Sequence, residues 1–135
     1  MIIEEKKYGI HEVFDMIGEE YLARDDDFGQ RKSDMVVDGF HVRPISLRYM
    51  TFYQKGVKCV SCGKKGTHFK LCGDEATSRR HFNLYTDDGT LMTKDHIIPK
   101  SKGGPNKVFN MQTMCTDCNW AKGNSDPEIQ TEVNK

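Results

Sequence analysis

Four of the five cysteines in this chain fall into two Cys-x-x-Cys pairs, Cys59 with Cys62 and Cys115 with Cys118. Two intervening residues let a tight turn aim both thiolates at one ion, and two such pairs supply a tetrahedral set. Zinc held by Cys59, Cys62, Cys115 and Cys118 has no open coordination position, so the ion is expected to be structural and to pin the two segments together. A staple suits the composition: 135 residues with 36% hydrophobic content and 12 glycines make one domain with a modest core. In a reducing compartment paired cysteines read as metal ligands before disulfides. Cys72 is left over, and a small buried hydrophobe is the preferred reading over an exchanged ligand.

No apolar run approaches the ~18 residues that cross a bilayer, and MIIEEKKYGIHE lacks the apolar stretch of a signal peptide. The expectation is a soluble, cytoplasmic protein. Its zero net charge is unevenly spread: residues 1–42 carry 5 basic and 11 acidic side chains, residues 43–70 carry 7 basic and no acidic ones, and residues 71–135 carry 8 and 9. The basic stretch interleaves Arg48, Lys55 and other cations with Tyr49, Phe52 and Tyr53, a mixture suited to phosphate contact and equally found on a solvated face.

Apolar positions at Ile10, Val13, Phe14, Ile17, Tyr21 and Leu22 predict an amphipathic helix over 10–23, followed by a charged loop over 25–33. Asp38-Gly39 between short apolar runs predicts a tight hairpin. A second helix is expected over 45–55. HFNLY and LMTKDHI, flanking Asp88-Gly89, predict another hairpin; a Gly/Pro/Lys loop, a strand FNMQTM and a short helix over 116–122 follow. The insert at 67–80 either extends a hairpin or forms a recognition loop. The boundaries drawn are 1–43 (acidic extension, helix plus hairpin), 44–124 (core with a basic lead-in helix) and 125–135 (polar tail).

Between the cysteine pairs stand Lys94-Asp95-His96-Ile97-Ile98-Pro99, then Gly103-Gly104 and Asn110; Asn119 follows the last cysteine directly, with Lys122-Gly123 beyond it. In this order and spacing, over about residues 57–124, the series resembles the HNH endonuclease family in its zinc-buttressed form. The resemblance implies an α+β fold, a small zinc-stapled ββα-metal core of treble-clef type, here with an N-terminal helix and hairpin extension. It also implies metal-dependent cleavage of DNA with RNA left open as substrate, in the manner of nucleases of phages and mobile elements.

The residues themselves suit that chemistry. Asp95 and His96 are neighbours, so both reach one cleft only where the strand stops. Asp95 offers a hard oxygen ligand and Asn119 a neutral one, a pair suited to Mg²⁺ or Mn²⁺. Asn119 stands where the family usually has histidine, which argues against a histidine-bound transition metal. His96 fits the general base, histidine being the side chain that exchanges a proton near neutral pH. The resemblance implies a one-metal scheme, and for Asn110 a bracing role in the loop that holds the base. Lys94, Lys100 and Lys102 are expected at nucleic acid beside Arg48 and Lys55; Lys122 either meets phosphate or caps its helix. Arg79-Arg80-His81 could hold phosphate near the strand entering the site. The competing reading is a non-catalytic zinc module that binds nucleic acid or protein, and the acidic N-terminal region could serve a protein partner.

Overall fold

The computed structural model describes residues 2–28 and 33–123. The polar tail expected at 125–135 and part of the charged loop at 25–33 lie outside the described residues. Among the described residues seven strands and four α-helices follow in the order β1 (Ile2–Gly9), α1 (Ile10–Ile17), α2 (Glu19–Leu22), β2 (Met35–Val37), β3 (Phe40–Val42), α3 (Leu47–Lys55), β4 (His68–Asp74), β5 (Arg79–Tyr85), β6 (Leu91–His96), β7 (Met111–Cys115) and α4 (Thr116–Lys122). Helix and strand are mixed in one small domain, as the α+β expectation required.

Turn chemistry explains the hairpins. Asp38 and Gly39 take φ of 49° and 86°, the paired left-handed conformation of a type I′ turn, and join β2 to β3. The β5–β6 connection is longer: Thr86 N–H donates to the Thr90 carbonyl (2.9 Å), and the Asp88 carboxylate accepts from the Thr86 and Thr90 hydroxyls. Those donors, with Lys64 beside them, hold the Asp88 carboxyl well below the ordinary carboxylate range. The helix expected over 10–23 is broken at Gly18, whose φ of 98° departs from helical geometry and separates α1 from α2. Helix α3 starts two residues later than expected, where the Ser46 hydroxyl caps Arg48 N–H. The strand expected from Phe109 starts at Met111, because Val108–Asn110 forms a 3-10 turn.

The insert at 67–80 is the hairpin extension: β4 pairs antiparallel with β5, and the unexpected strand β1 pairs with the outer edge of β4 through a register shift between Glu4 and Lys7. Strands β1 and β3 and helices α1 and α2 thus share sheet and core with the rest. Val13, Ile17 and Leu22 join Tyr49, Phe52, Phe69, Phe82 and Leu84 in one apolar cluster, with Phe82 ringed by Tyr8 and Phe69 at 5.3 and 6.0 Å between centroids.

Strand β5 organises the half of the sheet that faces the site. Along one edge it carries β4; along the other, Arg80 pairs with parallel β3 and Leu84 with antiparallel β6. Those two neighbours diverge, leaving the Phe82 peptide groups between them without a strand. Helix α3 fills the gap: Phe82 N–H donates to the Tyr49 hydroxyl (2.8 Å) and the Arg48 guanidinium donates to the Phe82 carbonyl (3.3 Å). Burial pushes the Tyr49 phenol up, so it stays a neutral acceptor. Tyr49→Phe strands a buried N–H and should cost about 1–3 kcal/mol in urea unfolding; an unchanged midpoint would mean that this bond carries no stability.

Candidate active site

The first cysteine pair sits on a tight turn. Cys59 N–H donates to the Lys64 carbonyl (2.8 Å), Gly63 N–H returns to the Cys59 carbonyl (3.0 Å), and Gly63 has φ +83°. Val60 N–H bonds the Thr113 carbonyl (3.0 Å), fastening this turn to β7, at whose end Cys115 begins α4. The sulfurs of Cys59, Cys62, Cys115 and Cys118 all lie within 4.8 Å of one another, with 3.7 Å from Cys62 to Cys115. Tetrahedral zinc with Zn–S bonds of ~2.3 Å spaces its sulfurs about 3.8 Å apart, so the four fit that ion. Cys72 is buried away from them, its thiol beside the Tyr85 hydroxyl.

Burial pushes the thiols of Cys115 and Cys118 up, Cys118 to about 12. At Cys59 burial acts the same way, but N–H donors of Cys62, Cys115 and Ser61 prevail and hold the thiol at about 6. Metal uptake must therefore expel protons, those of Cys115 and Cys118 among them. Zinc affinity measured by chelator competition should fall as the medium is made acidic, at one zinc per chain; a pH-independent affinity would contradict a thiolate site.

Strand β6, the loop after it and α4 enclose a cleft of about 570 Å³ lined by Lys94, Asp95, His96, Lys100, Asn119 and Lys122, among others. Strand β6 ends at His96, so the buried Asp95 and the half-buried His96 both reach the cleft. Asp95 Oδ2 accepts from Gln112 Nε2 (2.9 Å), its partner across the β6–β7 ladder. Asn119 Nδ2 donates to Thr93 Oγ1 (2.8 Å), which leaves its oxygen as the atom that could hold a metal. His96 Nε2 lies 2.7 Å from Asn106 Oδ1; with that oxygen accepting, Nε2 carries the proton and Nδ1 the lone pair.

Asn110 does not line the cleft. It is 3% exposed, and its amide accepts from Ile98 N–H (2.9 Å) while donating to the carbonyls of Ile98 and Pro105 (3.1 Å each). Its own carbonyl takes Ile97 N–H at 2.7 Å, so one asparagine ties both ends of the 97–105 loop. Gly104 is packed so closely that a Cβ there would stand 1.8 Å from the Ile98 carbonyl oxygen. Gly104→Ala should displace this loop and His96 with it, lowering both thermal stability and any His96-dependent activity.

Lys122 is the main correction among the expected nucleic-acid contacts. It is 1% exposed, with Nζ 3.1 Å from Asp95 Oδ2 and donating to the His96 carbonyl at 2.8 Å. Its ammonium is consumed by the two residues it orients and has no surface to offer a phosphate. Lys94 and Lys100 line the cleft, Arg48 lies in the neighbouring one, and Lys55 and Lys102 line neither. Sequence reasoning passed over Gln112, Thr93 and Asn106. The first two follow from the β6–β7 register once β7 is placed correctly; Asn106 has no signal beyond a Pro-Asn turn.

These elements are the stretch that comparison with known proteins picks out. The chain matches the HNH endonuclease family over residues 85–133. No curated protein and no solved structure matches. The HNH match takes in Asp95, His96, Asn110, Asn119 and the second cysteine pair but starts after Cys59 and Cys62, which the fold brings to the other two sulfurs. No helix among the described residues is long and apolar enough to cross a membrane.

The buried Lys122–Asp95 pair gives a stability test. Lys122→Met should cost about 3–5 kcal/mol in zinc-loaded protein without added divalent ions, because it leaves a buried carboxylate uncompensated. A loss within ~0.5 kcal/mol, as for an exposed phosphate contact, would overturn this placement.

Proposed function

We propose that the protein is a metal-dependent endonuclease that hydrolyses phosphodiester bonds of DNA, with a zinc ion on the four cysteines buttressing a treble-clef ββα core. The observation that carries this reading is that Asp95, His96 and Asn119 line one cleft from two elements, β6 and α4, inside the stretch matching the HNH family. RNA shares the reacting group and is the alternative substrate.

His96 acts as general base. With Nε2 held by Asn106, Nδ1 takes a proton from the attacking water as its oxygen bonds phosphorus. The P–O3′ bond breaks, its electron pair stays on O3′, and solvent protonates that oxygen. Lys122, bonded to the His96 carbonyl, fixes the backbone from which the imidazole projects. Asp95 and Asn119 would hold Mg²⁺ or Mn²⁺: a carboxylate with Oδ2 already fixed by Gln112 and Lys122, and an amide whose nitrogen is used on Thr93, each present oxygen. When bound, such an ion supplies charge neutralisation for the phosphate and the departing oxygen. Lys94 and Lys100 add positive charge at the cleft wall; burial, and then the Arg48 charge, hold the Lys94 amine below its ordinary value.

Supercoiled plasmid incubated with zinc-loaded protein should be nicked in Mg²⁺ or Mn²⁺ and left intact in a chelator that spares zinc. His96→Ala should lose about 10²–10⁴-fold in rate while keeping zinc and plasmid binding. Absence of cleavage with either ion, despite bound zinc, would favour a non-catalytic binding module on the same scaffold.

A further inference from the structure

Where β3 and β6 diverge from β5, the sheet leaves a second cleft of about 440 Å³, walled by the first turn of α3. It shares Lys94, His96 and Lys100 with the first cleft, so the two are continuous across the imidazole. Its cationic lining is Arg43, Arg48, Arg80, Lys94 and Lys100, with His81 beside them, against one carboxylate among the described residues, that of Asp27. Arg80 is committed to the carbonyls of Asp74, Thr77 and Arg79. Arg48 is spent differently. It donates to the neutral Phe82 carbonyl and lies 5.7 Å from the Tyr49 ring, its Nε is buried with no hydrogen-bond partner, and among the described residues it makes no ion pair. A guanidinium that lines a cleft of like charges and is paired with no carboxylate is open to an anion. The neighbouring groups register the same excess: His81 is held below its ordinary value by burial and then by the Arg48 charge, which also acts on Lys94.

We infer that this notch is a second phosphate site, which holds the phosphodiester next to the one being cut and takes its contact chiefly from Arg48, with His81 and Lys94 beside it. The inference rests on the nucleic-acid reading of the adjoining cleft. It assigns the α3 arginine and the β5 histidine, both outside the HNH match at 85–133, to substrate positioning. A polymer with phosphates at regular spacing reaches both clefts at once, whereas a free anion gains nothing from their continuity.

The test uses the full chain carrying His96→Ala, so that binding is read without cleavage. A labelled duplex is titrated by anisotropy over a salt series, each phosphate in turn being replaced by a neutral methylphosphonate. One or two replacements should weaken binding about tenfold, the effect of losing a hydrogen bond to a charged group. Adding Arg48→Gln should weaken the unmodified duplex comparably, abolish the sensitivity to that methylphosphonate, and reduce the slope of log affinity against log salt by about 0.7–0.9. Arg48→Lys should keep most of the salt slope. Equal methylphosphonate sensitivity with and without Arg48 would overturn the proposal, as would an unchanged slope. Zinc content checks the fold of the variant, and His81→Gln serves if Arg48→Gln does not fold. Plasmid nicking by the unmutated protein is scored separately. Phosphate-specific binding without nicking would sink the nuclease reading and leave the second site standing; nicking with no Arg48-dependent phosphate would do the reverse.

Discussion

The cleft depends on how one short helix divides its faces. Successive residues on α4 differ by about 100° around the axis, so Cys118 can turn to the sulfur cluster while Asn119 turns to the cleft. Three residues further on, Lys122 buries its ammonium against Asp95 Oδ2 and the His96 carbonyl. The helix spans Thr116–Lys122, too short to persist alone. What holds it is the cysteine cluster at its first turn and the buried ion pair at its last. The cysteine cluster and a buried lysine therefore place the same helix from its two ends, with the candidate ligand Asn119 between them.

The sheet contributes a second constraint, the divergence of β3 and β6 from β5. A strand that changes partners leaves peptide groups that something must satisfy, and here α3 does so with Tyr49 and Arg48. That repair brings a cationic side chain to the edge of the candidate cleft. The N-terminal elements are also tied to the rest: β3 pairs with β5, and Val13, Ile17 and Leu22 of α1 and α2 join the apolar core.

Much of this was legible in the sequence because it is local. Asp38-Gly39 and Asp88-Gly89 announced hairpins through the backbone conformations they tolerate, and the cysteine spacing announced a metal site. Asp95, His96 and Asn119 were expected in one cleft and line one. The misses are long-range or irregular. IIEEKKYG runs in doublets and shows no period of two, and its register shift between Glu4 and Lys7 is how such a run still pairs with β4. The apolar stripe over 10–23 continues through Gly18, so periodicity alone hid the break. Lys122 looked like an exposed helix-end lysine; its burial is decided by Asp95, 27 positions earlier in the chain, which no local pattern reveals.

The central claim is that the cysteine-bound metal positions the ligands of a second ion. Mn²⁺ binding followed by electron paramagnetic resonance tests it directly, comparing zinc-loaded protein with protein whose zinc has been stripped, and each with Asn119→Ala. Zinc-loaded protein should bind Mn²⁺ at one site that Asn119→Ala weakens, and stripping zinc should abolish that site. Mn²⁺ held equally well by the zinc-free chain, or indifferent to Asn119, would contradict the account.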